Sequence, residues 1–187
     1  MKIFVASDIH GSAAWCRRLL DAFDREAADA MLLLGDILYH GPRNALPEEY
    51  DPMQVASLLN ARAASVSGVR GNCDAEIDQM VLHFPIMADY CLLFVGNRRI
   101  FATHGHLFHR DQLPPLRPGD ILLQGHTHEP SWIDADGILV FNPGSAAIPN
   151  NGSAPGYMTI DDDEILWKDM NGVVYHRYPL AQTEGEV

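Results

Sequence analysis

Cysteine is scarce in this sequence: Cys16, Cys73 and Cys91 are the only three among 187 residues. Their odd number and wide spacing imply no disulfide framework and suit a reducing, cytoplasmic setting. Basic residues are also few, with 13 Lys and Arg against 25 Asp and Glu and a formal net charge of −12. That balance argues against broad electrostatic binding of nucleic acid or an anionic membrane, although a bound cation would dominate the field of its own site. No apolar run approaches the length of a membrane span, and M-K-I-F-V-A-S-D reaches a charge too soon for a signal-peptide core. Internal repeats, low-complexity tracts and domain linkers are absent from the pattern. With 47% hydrophobic and 20% charged residues, the chain is expected to form one soluble domain over residues 1–180. Residues 181–187 read as a frayed tail.

The first half alternates strands and helices. Ile3–Ala6 and Ala30–Leu34 are continuous apolar runs suited to strands buried on both faces. Between them Ser12 can cap a helix to about Ala28, with Leu19, Leu20 and Phe23 on one face. A loop rich in turn formers, His40 to Pro52, leads to a second helix capped by Asp51 and opened by Pro52, ending near Ala64. Ser65–Val69 supplies a third strand. The second half carries short strands with little helix: Leu92–Val95, Arg99–Thr103, Ile121–Gln124, Ser131–Ile133, Ile138–Phe141, Tyr157–Ile160, Ile165–Trp167 and Val173–Tyr175. Turn signals at Asp136-Gly137, Asp161 to Asp163 and Asn171-Gly172 separate several of them. This pattern predicts an α/β fold of two face-to-face sheets with helices outside.

Six polar clusters follow apolar strands: Asp8 and His10, Asp36, Asn72, His104 and His106, His126 and His128, and Asn142. The C-terminal ends of strands are where open α/β sheets place ligand sites. Two carboxylates, an amide oxygen and four or five imidazoles exceed one tetrahedral zinc site and suit two metals sharing a bridging carboxylate. The mixed oxygen and imidazole donors favour Mn²⁺, Fe or Zn²⁺ over Ca²⁺. Residues i and i+2 on an extended segment point to the same side, so Asp8/His10 and His126/His128 can each reach one metal region.

In order, D-I-H, G-D, G-N-C-D, T-H-G-H and G-H-T-H resemble the signature of the calcineurin-like metallophosphoesterases over roughly Met1 to Ile160. The resemblance implies a four-layer αββα sandwich of two mixed β-sheets flanked by helices. It also implies two divalent ions, most simply Mn²⁺, and hydrolysis of a small-molecule phosphodiester. Carried over, it assigns Asp8, His10, Asp36 and His128 to one ion and Asp36, Asn72, His104 and His126 to the other, with Asp36 bridging. A metal-bridging hydroxide would then attack phosphorus in line.

Cys73 stands where many family members carry a histidine credited with protonating the leaving group. Near two cations its thiol would tend toward thiolate and donate poorly, leaving general-acid work weak or passed to His106. The catalytic candidates are therefore Asp36, His106 and Cys73, and good leaving groups should be favoured. Arg43, Asn44 and His106 are the candidate substrate contacts, Arg43 through its planar fork. Asn142 reads as a buttress; His40, His83, His109 and His176, the acidic run Asp161 to Glu164, and Cys16 and Cys91 read as structural or solvated. The alternatives are a phosphomonoesterase or nuclease of the same family, or a non-catalytic scaffold of the same fold. Filled ligand positions argue against the scaffold, and the missing basic groove against a nuclease. Hydrophobic late strands leave room for a homo-oligomer.

Overall fold

A computed structural model describes residues 1–180; the expected tail, 181–187, lies outside the described residues. The β-α-β-α-β start is present: β1 (Ile3–Ala6), α1 (Ala13–Glu26), β2 (Ala30–Leu33), α2 (Pro52–Asn60) and β3 (Val66–Gly68). Ser12 accepts the Trp15 N–H at the start of α1, and Asp51 accepts the Gln54 N–H at the start of α2. Helix α2 stops four residues before Ala64, and a separate 3₁₀ turn spans Ala63–Ser65. A short helix, α3 (Glu76–Gln79), was not expected; the Asp78 carboxylate accepts the Ala75 N–H at its start.

The remaining strands are β4 (Tyr90–Val95), β5 (Arg98–Thr103), β6 (Ile121–Leu123), β7 (Pro130–Ala135), β8 (Ile138–Pro143), β9 (Gly156–Ile160), β10 (Glu164–Asp169) and β11 (Val174–Pro179). One mixed sheet runs β11-β10-β9-β1-β2-β3 and the other β4-β5-β6-β8-β7. Each holds three adjacent parallel strands, β1-β2-β3 on one side of the first sheet and β5-β6-β8 at the centre of the second, paired for example Val5↔Leu32 and Phe101↔Leu122↔Val140.

Strand periodicity divides the core. Phe4, Ala6, Met31 and Leu33 face α1 and α2, whereas Ile3, Val5, Leu32 and Leu34 face the second sheet, meeting Ile100, Ala102, Ile121, Leu123 and Phe141. The four-layer expectation needs one correction. On the outer face of the second sheet, Phe101, Leu122 and Val140 are covered by Phe108 and Leu116. Both come from the irregular segment between β5 and β6, so this layer is loop rather than helix. Apolar anchors on a loop cover that face without a helical stripe.

Helix α1 is tied to the sheet by a nearly buried ion pair. Lys168 Nζ lies 2.8 Å from both Glu26 carboxylate oxygens, and the Tyr157 hydroxyl donates to Glu26 Oε1 at 2.7 Å. Tyr157 in turn stacks on Phe4, with ring centroids 4.5 Å apart. Burial opposes ionisation of Glu26, but Lys168 and Tyr157 prevail and lower its pKa below the usual glutamate value. Glu26→Ala is expected to cost about 3 kcal/mol by stranding the Lys168 ammonium, lowering Tm by about 6–12 °C. Because the folded pKa is the lower one, the carboxylate's contribution is present above the unfolded value and is lost as pH falls through the folded one. Thermal melts of wild type and variant should therefore converge in acid.

Candidate metal centre

The C-terminal ends of the six parallel strands converge on one edge of the sandwich. Loops after β1, β2 and β3 bring Asp8, His10, Asp36 and Asn72; loops after β5 and β6 bring His104, His106, His126 and His128. Backbone hydrogen bonds stitch the loops together: Asp8 N–H to Gly35 O (3.1 Å), His10 N–H to Asp36 O (2.9 Å) and Gly125 N–H to His104 O (2.8 Å). Across the sheets, the His126 N–H donates to Asp8 Oδ2 at 3.1 Å and Ala146 N–H to Ser7 O at 2.9 Å.

The local conformation differs from the extended one that the i, i+2 argument supposed. Asp8, His10, Asp36, His126 and His128 all have left-handed backbones, with φ between 51° and 69°. Each such non-glycine residue costs about 1 kcal/mol or more. The hydrogen bonds just described hold these turns, so the strain is concentrated at the candidate ligands. Gly105 between His104 and His106 is likewise not extended (φ 114°).

The seven proposed ligands separate into two groups that meet at Asp36. In the first, His10 Nε2 lies 3.1 Å from His128 Nε2, 3.6 Å from Asp8 Oδ1 and 3.6 Å from Asp36 Oδ2. His128 Nε2 lies 3.3 Å from Asp8 Oδ1. In the second, His104 Nε2 lies 3.1 Å from Asn72 Oδ1, 3.2 Å from His126 Nδ1 and 3.5 Å from Asp36 Oδ1. The two oxygens of Asp36 thus face different groups.

Tautomers decide what these contacts can be. The other ring nitrogens of His10, His128 and His104 meet backbone carbonyls: Tyr39 O at 2.8 Å, Ile148 O at 2.9 Å and Leu34 O at 2.6 Å. Each Nδ1 must carry the proton, so each Nε2 presents a lone pair in the neutral imidazole. The His10 and His128 lone pairs then oppose each other beside a carboxylate, and the His104 lone pair opposes an amide oxygen. Asp8 Oδ1 is buried with no hydrogen-bond partner. Acceptors converging on acceptors fit a cation, and ligating histidines generally donate their second N–H in this way. Donor atoms of Asp8, His10 and His128 lie within 4.8 Å of one another, as do those of Asp8, Asp36 and His104.

The electrostatics are consistent with this crowding. Burial resists ionisation of Asp8, but His10 and His128 beside it hold its carboxyl below the usual range. Burial opposes protonation of His10, yet Asp8 raises its pKa overall. Burial, and then the neighbouring His104, lower His126 and His106.

Cys73 lies at the Asp36 side of the centre. Its N–H donates to Asp36 Oδ1 at 2.9 Å, and Asn72 Nδ2 donates to its sulfur at 3.3 Å. The protein's own groups act against the thiolate expected beside cations: burial first, then the Asp36 carboxylate, raise the thiol pKa. Asp74 accepts backbone N–H groups of Asp36 (2.8 Å), Ile37 (2.9 Å) and Gly71 (2.7 Å), bracing the two ligand loops against each other. Asn142 donates to Gly125 O at 2.7 Å and accepts from Gly144 N–H at 2.7 Å, the buttress expected of it.

Arg43 and Asn44 are exposed and line a cavity of about 210 Å³ with His10, Asp36, Asn72 and Cys73. Asn150 also lines it, from a loop whose sequence carried no ligand signal. His106 faces a second, larger cavity, where its Nδ1 is buried and unpartnered. His109 lines that cavity too, whereas His40 packs against Tyr39 and Tyr50 and His176 stacks on Trp132.

Comparison with known proteins gives a consistent picture. A model of the calcineurin-like phosphoesterase superfamily domain matches residues 1–164. Phosphodiesterase YfcE of Escherichia coli K12 is 49% identical over 163 residues, 87% of this chain and 89% of the relative. Phosphodiesterase MJ0936 of Methanocaldococcus jannaschii is 25% identical over 168 residues, 85% of this chain and 87% of the relative. The solved structure of YfcE, described as a phosphoesterase from E. coli, superposes with a TM-score of 0.93 at 43% identity, covering 97% of this chain and all of that one. Vps29 of Entamoeba histolytica, solved with Zn²⁺, shares the fold at a TM-score of 0.58 and 22% identity, covering 98% of this chain and 95% of that one.

Proposed function

This chain belongs to the calcineurin-like phosphoesterase superfamily, and we propose that it is a dinuclear metal-dependent phosphodiesterase. The observation carrying this reading is the pair of acceptor clusters joined through the two oxygens of Asp36. We assign Asp8, His10, Asp36 and His128 to one cation and Asp36, Asn72, His104 and His126 to the other. The oxygen and imidazole donors fit Mn²⁺, with Fe or Zn²⁺ as the other compatible ions. Such a pair supplies an activated water for in-line attack and neutralises the phosphoryl oxygens. Among the chain's own groups, Arg43 and Asn44 stand at the open side of the smaller cavity, where a planar guanidinium suits a phosphate oxygen.

Metal analysis combined with a chromogenic bis-aryl phosphate assay tests the assignment. Close to two divalent ions per chain and Mn²⁺-stimulated hydrolysis are expected. Fewer than one tightly held ion with no stimulated hydrolysis would instead favour a scaffold. Parallel assays with monoesters and oligonucleotides separate the other activities of the family.

Cys73 gives the reading a chemical signature. Cys73 offers a thiol where a histidine would protonate the leaving alkoxide, and a thiol is a poorer general acid than imidazolium near neutral pH. Rates should therefore fall steeply as the leaving group becomes more basic, and Cys73→Ala should cost less than about tenfold with nitrophenolate as leaving group. Equal rates for alkyl and nitrophenyl leaving groups, or a thousandfold loss in Cys73→Ala, would show instead that Cys73 is a working acid.

A further inference from the structure

The larger cavity, about 620 Å³, opens beside the metal centre, and His126 lines both it and the smaller cavity. His126, shared by both walls, gives a substituent of a substrate held at the centre a path into this space. Its volume is in the range that holds a small molecule. The wall holds two buried polar atoms without a hydrogen-bond partner, His106 Nδ1 and Gln124 Oε1, and of the two Gln124 stands outside the ligand motifs. Gln124 follows β6, is only 6% exposed, and ends in an amide oxygen that is buried without a hydrogen-bond partner. The preceding Leu122 and Leu123 are fully buried and apolar, so packing alone does not call for an amide at the next position. Orphaned buried amides are unfavourable and uncommon.

We propose that this cavity is a subsite for one alcohol substituent of the substrate, and that Gln124 recognises a neutral ring bearing an adjacent hydrogen-bond donor and acceptor. In either orientation the Gln124 amide carries one donor end and one acceptor end. Pro130 and Ile133 supply apolar surface for a ring, and Ser131 a hydroxyl near it. The charged groups around the cavity have partners of their own: Asn151 donates to Glu129 Oε1 at 2.6 Å, and Arg110 lies 3.4 Å from Asp111. Asp111 and Glu129 set two carboxylates against Arg110 in this lining, which disfavours a second phosphate, whereas a pyrimidine-like edge with one donor and one acceptor matches the amide. The inference rests on the phosphodiesterase reading for its link to catalysis, but not for the binding itself.

Uridine serves as the probe. Added to metal-free, full-length ¹⁵N-labelled protein, it should shift the Gln124 side-chain amide resonance, identified by its loss in Gln124→Leu. Glycerol at the same concentration should not. In Mn²⁺-loaded enzyme, the kcat/KM ratio of uridine 5′-(4-nitrophenyl) phosphate over methyl 4-nitrophenyl phosphate should fall about tenfold or more in Gln124→Leu. Ser131→Phe, which fills the cavity from another wall, should lower the same ratio. No uridine-dependent shift, an equal response to glycerol, or an unchanged ratio in both variants would overturn the proposal. A uridine shift in a wild-type protein that hydrolyses no diester would leave the subsite standing and sink the phosphodiesterase reading.

Discussion

Asp36→Asn should lower phosphodiester hydrolysis by at least about a thousandfold, the largest loss expected of any single substitution. In the proposed assignment Asp36 is the side chain shared by both ligand groups, with Oδ2 3.6 Å from His10 Nε2 and Oδ1 3.5 Å from His104 Nε2. Asparagine keeps the shape but removes a charge and turns an NH₂ donor toward one of the groups. The backbone bracing survives, because it is the Asp36 N–H that bonds Asp74. The Cys73 N–H can still find an amide oxygen where it now bonds Oδ1. The variant should therefore fold, melt near wild type, and bind fewer than two equivalents of Mn²⁺. His126→Ala is the companion: it empties one position of the second group only. Normal turnover in either variant with metal still bound would refute the assignment.

Gly71→Ala is expected to weaken metal binding by about a hundredfold, with activity falling in step. The G-N-C-D loop passes so close to Asp36 that a Cβ on residue 71 would run into both its Oδ1 and its backbone nitrogen. Something must move, and the nearest candidates are the shared carboxylate and the backbone held by Asp74. The control is Gly96→Ala, in the turn between β4 and β5, where a Cβ meets nothing within 4 Å. It carries the backbone cost of a left-handed residue (φ 54°) without touching the centre. Mn²⁺ titration of both variants separates the clash from general destabilisation. Equal metal affinity in Gly71→Ala and wild type would mean that the loop has slack the geometry does not suggest.

Much of this architecture is legible in the residues. Continuous apolar runs such as Ile3–Ala6 and Ala30–Leu33 are buried on both faces, as parallel central strands require. Caps at Ser12 and Asp51 set helix starts, since the capping side chain satisfies its own neighbours. The loop layer over the second sheet was not legible. Phe108 and Leu116 lie in a polar, proline-containing segment with no period to mark what they cover. Nor were the left-handed ligand turns, since Asp8, His10, Asp36, His126 and His128 are not glycines and carry no local sign of positive φ.

What the sequence by itself determined was the inventory: which donors exist, their order, and that each follows a strand. These depend on side-chain chemistry and short-range periodicity, which are written locally. Only the tertiary structure decided which donors face one another and which nitrogen of each ring is free. His104 takes its tautomer from the Leu34 carbonyl 70 residues away, and His10 meets His128 across 118 residues. Gln124 became conspicuous for the same reason. An amide in sequence is unremarked, and only when the sheets close around it is one of its polar atoms left without a partner.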